Sequence, residues 1–170
     1  DLNIAKKLID ATNACDWDCA KFQKRNPDIC VPDDQKQIKR DTPWGEMTYI
    51  DYKYKVEFEK NEYDEINNYC SGKPIAWTAS VWDLDSLQFL AGYNIPFIKV
   101  PSAHITNHEL LYECAQTNIP IIISTGMSTW DIVDSAVEIL EKSNSQYAVL
   151  HCNSTYPAPF NELNLKIIPA

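Results

Sequence analysis

The sequence predicts an α/β fold in which helices alternate with strands of a parallel sheet. Apolar residues recur at helical spacing in some segments and form short strand-like runs in the segments between them. The apolar runs at 121–123 and 148–150 lack polar alternation, which is typical of strands buried on both faces. The last four predicted strands end near residues 78, 100, 124 and 151, a spacing of 22, 24 and 27 residues that matches one βα unit.

The individual elements follow from the apolar pattern. Predicted helices cover residues 2–14, 61–71, 84–92, 107–117 and 129–142. Predicted strands cover residues 19–23, 75–78, 97–100, 120–124 and 147–151. The polar stretch 24–46 contains three prolines, and we predict a long loop there of the functional or disordered kind.

A doubly wound sheet and a (β/α)₈ barrel both fit this alternation. The chain has only four glycines and no G-x-G-x-x-G after a strand, so the usual dinucleotide-binding fingerprint is missing. A complete barrel needs eight strands and typically ~250 residues. Five strands in 170 residues therefore predict one incomplete barrel domain over 1–170, with one strand expected before Asp1 and about two after Ala170.

Composition excludes several classes of protein. A net charge of -9 and a pI near 4.7 disfavour nucleic-acid binding. No apolar run reaches membrane-spanning length and the first residues do not resemble a signal peptide, so we expect a cytoplasmic protein with no membrane partner. The six cysteines form no C-x-x-C pair, which favours reduced thiols over a zinc site.

Polar residues at the strand ends predict where the chemistry takes place, because barrel active sites lie at the carboxyl ends of the strands. Lys21 and Lys99 interrupt apolar strands, and a lysine in a barrel mouth must bind an anion or lose its charge. The other polar strand-end residues are Gln23, Thr78, Ser80, Ser102, Ser124, Thr125, Gly126, His151, Asn153 and Ser154. We predict a site for a phosphate and a carboxylate; the alternative is that the lysines pair with neighbouring acids.

A metal site is the competing hypothesis. His104 and His108 are four residues apart and Glu109 follows, a spacing that suits metal binding on one helix face. However, Thr106-Asn107 between them is the expected helix N-cap and would break that face, so we predict no metal ligand in this chain. We predict a hydrogen-bonded structural role for His151. Most tryptophans are expected in the core, whereas Trp44 in the long loop could line a pocket.

Five segments in order resemble the sialic acid synthase (N-acetylneuraminate synthase) family over essentially the whole chain. They are Ala20-Lys21-Phe22-Gln23-Lys24-Arg25, Thr42-Pro43-Trp44-Gly45, Ile98-Lys99-Val100-Pro101-Ser102, Ile123-Ser124-Thr125-Gly126-Met127 and His151-Cys152-Asn153-Ser154-Thr155-Tyr156-Pro157-Ala158-Pro159. The resemblance implies a (β/α)₈ barrel followed by an antifreeze-like domain that this chain lacks. It also implies a homodimer and a divalent Mn²⁺ or Mg²⁺, whose two histidine ligands would lie beyond Ala170.

The implied reaction condenses phosphoenolpyruvate with N-acetylmannosamine, or a related amino sugar, and releases phosphate. Lys21 and Lys99 would be the catalytic residues that neutralise the phosphate. By the same resemblance, the phosphoenolpyruvate would be held by Lys21, Ser80, Lys99, Ser102, Ser124 and Ser154, and the sugar would face Gln23 and Tyr156.

The sequence departs from the family at two positions. His104 stands where some members have a sugar-binding glutamate, and Asp16 stands where a glycine is usual before the first strand. Legionaminic and pseudaminic acid synthases share the machinery and remain alternatives, as do a Schiff-base aldolase and a non-catalytic truncated barrel. Without metal ligands, we expect the isolated chain to be inactive.

Overall fold

The computed structural model describes residues 1–168. The chain forms two compact units, Asp1–Asn94 and Ile95–Ala170. In both units, helices alternate with parallel strands, as the sequence predicts. All five predicted helices and all five predicted strands are present, with bounds that differ from the prediction by three residues or fewer.

The first unit is built on two parallel strands. Its elements are α1 (Leu2–Ala14), β1 (Cys19–Lys24), α2 (Pro27–Cys30), α3 (Asp33–Lys36), β2 (Lys39–Thr42), β3 (Gly45–Thr48), α4 (Tyr49–Val56), α5 (Lys60–Ser71), β4 (Ala76–Val81) and α6 (Leu84–Leu90). Strand β1 pairs with β4 so that Lys21 lies opposite Thr78 and Gln23 lies opposite Ser80. Parallel pairing therefore brings the polar ends of both strands to one edge of the sheet.

Aromatic rings fill the core of the first unit. Tyr63 of α5 is only 1% exposed, and its ring centroid lies 5.5 Å from that of Trp77 and 5.3 Å from that of Phe89. Ile66 and Cys70 follow Tyr63 at helical spacing and are also buried. This buried stripe packs α5 against β4, because residues three and four apart share one face of a helix.

The structure corrects the prediction of a long loop at 24–46. This stretch contains the short helices α2 and α3 and the antiparallel hairpin β2–β3. Asn26 caps α2 by accepting a hydrogen bond from the Asp28 backbone, with Pro27 at the first helical position. Gly45 has a φ of +96° at the hairpin turn, a conformation that glycine adopts without steric cost.

The second unit contains three parallel strands in the order β5-β6-β7. Its elements are β5 (Ile98–Val100), a 3₁₀-helix (Ser102–His104), α7 (His108–Gln116), β6 (Ile121–Ser124), α8 (Trp130–Lys142), β7 (Tyr147–Leu150) and two further 3₁₀-helices (Phe160–Glu162 and Leu165–Ile167). Lys99 lies opposite Ile122, and Ser124 lies opposite Leu150. Leu110, Leu111 and Leu140 are fully buried in this unit.

Burial along β7 differs from the prediction. The apolar run 148–150 was expected to be buried on both faces, yet all four residues of β7 are exposed, including Val149 at 41% and Leu150 at 42%. Within the described part of the second unit, β6 is the one strand that pairs with β7. Since β7 is thus an edge strand, its apolar side chains lack the cover that a strand buried on both faces receives.

The prediction that most tryptophans are in the core was wrong. Trp77 is buried at 3% exposure, but Trp17, Trp44 and Trp130 are 67%, 53% and 56% exposed. Trp17 follows α1 and Trp130 begins α8, so both lie at element ends. Burial there depends on neighbouring elements and cannot be predicted from local periodicity.

Two further sequence predictions can be compared with the structure. Asp16 has a φ of +56°, as expected for a position where a glycine is usual. All six cysteines are unpaired; Cys70 and Cys114 are buried and Cys15 is exposed.

Among the helices of residues 1–168, none combines the length and apolar character that crossing a bilayer requires.

Candidate active site

In the first unit, Lys21 and Gln23 project from the same face of β1, because alternate residues of a strand share a face. Both residues are exposed, whereas Thr78 and Ser80 on β4 are buried. The Lys21 ammonium lies 3.3 Å from Ser80 Oγ. Within the described residues, Lys21 has no carboxylate partner at salt-bridge distance, which disfavours the alternative that it pairs with a neighbouring acid.

The backbone next to this pair is anchored by the core. The Tyr63 hydroxyl donates a hydrogen bond of 2.8 Å to the Gln23 carbonyl oxygen. Burial raises the pKa of the Tyr63 hydroxyl, so this group remains a protonated donor at neutral pH. The backbone of Gln23 is thereby held at the carboxyl end of β1, and its side chain lies on the face that also carries Lys21.

In the second unit, Lys99 is the central charged residue. It is only 8% exposed, and its ammonium donates to Ser124 Oγ at 2.6 Å and to the Val100 carbonyl oxygen at 2.9 Å. Ser124 is itself 6% exposed and is the last residue of β6. The register of β5 and β6 therefore places a buried cation beside a serine hydroxyl at the carboxyl end of the sheet.

Two more predicted serines meet at Gly126, in the turn that follows Ser124. The Gly126 backbone N–H donates to Ser102 Oγ at 3.0 Å. The hydroxyl of Ser154 also lies against Gly126. Ser102, Ser124 and Ser154 come from the ends of three different strands, yet all contact Lys99 or the short turn that follows β6.

This second cluster has the chemistry of an anion site. It combines an ammonium group with three hydroxyls beside the turn that leads into α8, a helix of 13 residues. Ammonium and hydroxyl groups are donors that phosphate and carboxylate oxygens require. A cavity of about 1000 Å³ lies at the ends of β6 and β7 and is lined in part by Thr125, His151 and Ser154.

Comparisons with known proteins identify the family of this chain. The model of the NeuB family matches residues 8–170. The chain belongs to the NeuB family. It is 36% identical to the N-acetylneuraminate-9-phosphate synthase of Drosophila melanogaster over 98% of this chain and 45% of that protein. It is 33% identical to the N,N'-diacetyllegionaminic acid synthase of Campylobacter jejuni over 98% of this chain and 51% of that protein.

A solved NeuB-type structure confirms the predicted fold class, an incomplete (β/α)₈ barrel. The N-acetylneuraminic acid (sialic acid) synthetase of Leptospira borgpetersenii superposes with a TM-score of 0.88 at 26% identity. The superposition covers 99% of this chain and 55% of that one. The chain therefore spans about half the length of the relatives it matches.

Two predicted residues are not brought into the anion cluster of this NeuB chain. Tyr156 is 99% exposed. His151 Nε2 donates a 2.6 Å hydrogen bond to the Leu163 carbonyl oxygen, which is the structural role that the sequence predicts. Six residues are predicted to hold phosphoenolpyruvate. Two of them, Lys21 and Ser80, contact each other in the first unit. The other four cluster in the second unit; they are Lys99, Ser102, Ser124 and Ser154.

The divalent metal that the family implies does not fit the described residues of this NeuB chain. Within residues 1–168, no three His, Cys, Asp or Glu side chains are grouped so that they could hold a metal ion. His104 ends a 3₁₀-helix and His108 begins α7, while Asn107 between them accepts a hydrogen bond from the Leu110 backbone. The two histidines therefore belong to different helices and share no face.

Sequence reasoning missed a buried ion pair beside Gln23. Arg25 follows β1 and bonds the carboxylate of Glu57; their side chains are 11% and 2% exposed. The guanidinium also lies 5.5 Å from the ring of Trp82. Burial raises the pKa of Glu57, although the charge of Arg25 and its hydrogen bond oppose that shift.

Arg25 and Glu57 line a cavity of about 220 Å³ together with Gln23. Lys21 and Lys99 are noticeable in the sequence because each interrupts an apolar strand, and neither Arg25 nor Glu57 does so. The pairing joins residues 32 apart in the chain and is established by tertiary packing.

Proposed function

We propose that this chain belongs to an enzyme that condenses phosphoenolpyruvate with N-acetylmannosamine, or a related amino sugar, to form a sialic acid and release phosphate. One observation supports this most directly: the buried ammonium of Lys99 bonds Ser124 Oγ at 2.6 Å, next to a turn that also contacts Ser102 and Ser154. Phosphoenolpyruvate carries a phosphate and a carboxylate, and this arrangement provides donors for such anionic groups.

The proposed reaction forms one carbon–carbon bond. The enol carbon of phosphoenolpyruvate attacks the aldehyde carbon of the sugar, and water adds to the cationic carbon that results. The tetrahedral product then loses phosphate by cleavage of its carbon–oxygen bond. In this proposal, Lys99 and Lys21 neutralise the negative charge of the phosphate, and the hydroxyls of Ser80, Ser102, Ser124 and Ser154 orient it.

The acceptor sugar would lie on the side of Gln23 and Tyr156. Gln23 presents an amide that can both donate to and accept from sugar hydroxyls or an N-acetyl group. The Tyr63 hydroxyl, 2.8 Å from the Gln23 carbonyl oxygen, keeps the backbone of that residue in place. Tyr156 is almost fully exposed and is available to a ligand that enters over the strand ends.

For the natural full-length protein, we further propose a divalent Mn²⁺ or Mg²⁺ bound by residues outside 1–168. When bound, such an ion polarises the sugar aldehyde and activates water. An antifreeze-like domain after the barrel, a homodimer and a cytoplasmic location complete the proposal. The cytoplasmic location is supported by six unpaired cysteines, which are typical of a reducing compartment.

The named relatives supply two distinct candidates for the acceptor. Three carbons of the product come from phosphoenolpyruvate, so a 9-phosphate in the product corresponds to a 6-phosphate on the acceptor sugar. The Drosophila relative therefore suggests N-acetylmannosamine 6-phosphate, and the Campylobacter relative suggests a diacetylated deoxy sugar. His104, at the position of a sugar-binding glutamate in some members, is the residue that we expect to influence this choice.

The test measures phosphate release by the full-length protein with phosphoenolpyruvate, Mn²⁺ and each of three acceptors: N-acetylmannosamine, its 6-phosphate and a diacetylated deoxy sugar. We expect release that requires both substrates and a product three carbons longer than the acceptor. Release that does not depend on a sugar, or no release with any acceptor, would contradict the proposal. The isolated 170-residue chain is expected to be inactive in the same assay.

A second experiment separates this reaction from that of a Schiff-base aldolase. Borohydride reduction in the presence of pyruvate traps a covalent lysine adduct only if a lysine forms an imine. We expect no labelled Lys21 or Lys99 in the peptide mass spectrum. A labelled peptide would replace the proposed condensation with aldolase chemistry.

A further inference from the structure

We propose that Gly126 is a positioning residue of the anion site, because its missing side chain leaves the space that the hydroxyls of Ser102 and Ser154 occupy. This inference rests on the proposed function, in which those two hydroxyls bind phosphoenolpyruvate. Gly126 acts through its backbone N–H and its missing Cβ, so side-chain chemistry alone would not identify it.

The space around Gly126 is already filled by polar atoms. A Cβ atom added there would lie less than 3.0 Å from Ser154 Oγ and 2.9 Å from Ser102 Oγ. Real Cβ atoms essentially never show such contacts, and the Cβ of Ser102 would be only 3.3 Å away as well. Any side chain at position 126 must therefore displace both hydroxyls or the turn itself.

Backbone conformation does not explain this glycine. Gly45 is the glycine with φ in the left-handed range, at +96°, and Gly126 lies outside that range. Alanine could thus adopt the backbone conformation of Gly126 without strain. Position 126 therefore requires a residue without a Cβ, because two serine hydroxyls occupy the space beside it.

The backbone of Gly126 also directs one of these hydroxyls. Its N–H donates to Ser102 Oγ at 3.0 Å, so that oxygen acts as an acceptor toward the protein. A hydroxyl that accepts from the protein retains its own hydrogen for donation, and an anionic ligand is a suitable acceptor. The Ser128 hydroxyl donates to the Gly126 carbonyl oxygen at 3.3 Å and restrains the same turn.

The experiment compares Gly126→Ala with Gly72→Ala in the natural full-length protein. Gly72 ends α5 with φ -94°, and an added Cβ there meets nothing within 4 Å, so it is a matched glycine-to-alanine control. For Gly126→Ala we expect the KM for phosphoenolpyruvate to rise roughly tenfold or more, because charge-assisted hydrogen bonds to the anion are lost. The KM for the sugar should stay near that of the wild type.

A binding measurement makes the test independent of turnover. Phosphoenolpyruvate and inorganic phosphate should raise the melting temperature of the wild type and of Gly72→Ala, and should raise that of Gly126→Ala much less. If the wild type catalyses no condensation but shows this binding difference, the proposed function fails while the role of Gly126 stands. Equal ligand protection and equal KM in both variants would overturn the inference.

A folding defect in Gly126→Ala would also be informative. Since the closest clash is with the Ser154 hydroxyl, Gly126→Ala combined with Ser154→Ala should be more stable than Gly126→Ala, and the two substitutions should be non-additive in ligand binding. Strict additivity of the two effects, with no recovery of stability, would show that Gly126 acts through something other than the serine hydroxyls.

Discussion

The ammonium nitrogen of Lys99 lies 2.6 Å from Ser124 Oγ, on a side chain that is only 8% exposed. A second partner is the Val100 carbonyl oxygen at 2.9 Å. A bound phosphate or carboxylate would add negative charge beside this ammonium group. The register of β5 and β6 therefore places the Lys99 ammonium beside Ser124, where the proposed function has it bind an anionic substrate.

Replacing Lys99 by methionine should reduce catalysis without unfolding the protein. Methionine has a similar length but no charge, so kcat/KM should fall about 100-fold or more, a loss of roughly 3 kcal/mol of transition-state stabilisation. The variant should remain folded, because methionine retains most of the apolar stem of lysine. Steady-state kinetics and chemical unfolding of the full-length protein measure both effects.

Lys142→Met is the matched control for that substitution. Lys142 lies at the end of α8 and forms an exposed pair with Glu138, so its loss should alter kcat/KM by less than about twofold. If Lys99→Met retained the activity of this control, Lys99 would have no role in the site.

Replacing Arg25 by methionine should destabilise the protein in a pH-dependent way. The pKa of Glu57 is already raised by burial, and Arg25 is the main group that opposes the shift. A carboxyl pKa that is raised by folding means that the folded state binds the proton more tightly than the unfolded state does. The resulting contribution to the free energy of unfolding is present at low pH and is lost as pH rises through the folded pKa. Without Arg25 that pKa rises further.

The variant should therefore lose about 3 kcal/mol of unfolding free energy at pH 8 and distinctly less at pH 5, where protonation relieves the unpaired charge. Urea unfolding at both pH values measures this difference. Arg40→Met is a suitable control, since Arg40 is exposed and lies over the ring of Tyr49. A deficit that is equal at both pH values would show that Glu57 is not the group responsible.

The cysteines should differ sharply in reactivity toward iodoacetamide. Burial and a hydrogen bond to Asp83 raise the pKa of the Cys30 thiol to about 12, and burial raises the pKa of Cys114 to about 12. Because the thiolate is the reactive form, these two residues should stay unmodified at pH 8 in the native protein. Exposed Cys15 should be modified first, as peptide mass spectrometry after short labelling would show.

Labelling in denaturant provides the control, since every thiol should then react at a similar rate. Rapid native labelling of Cys114, which is buried in α7, would contradict the packing of the second unit.

Replacing Asp16 by glycine should stabilise the protein. Asp16 has φ +56°, and a left-handed conformation costs an L-residue about 1 kcal/mol, although less for aspartate than for most. Glycine avoids that cost but gains entropy in the unfolded chain, so we expect a net gain of roughly 0.5 kcal/mol. Asp18→Gly, at a nearby exposed position without positive φ, should be destabilising, and thermal unfolding of both variants tests the contrast.

Local sequence pattern was sufficient for the alternating helices and parallel strands of this fold. Helical and strand periodicities depend on neighbouring residues, so the bounds of α1 at Leu2–Ala14 and of β6 at Ile121–Ser124 could be predicted closely. The same pattern made Lys21 and Lys99 candidates for the site, because a lysine inside an apolar run is costly without a local reason.

Tertiary structure decided what these residues contact and what surrounds them. The 24–46 stretch contains a hairpin, Trp17 and Trp130 are exposed, and Arg25 pairs with Glu57, because each outcome depends on residues distant in the chain. The crowding of Gly126 by two serine hydroxyls likewise requires three strand ends to meet at one turn. Periodicity determines which segments become strands, but the side chains that converge at their ends are set by strand register and packing between segments that the local pattern does not encode.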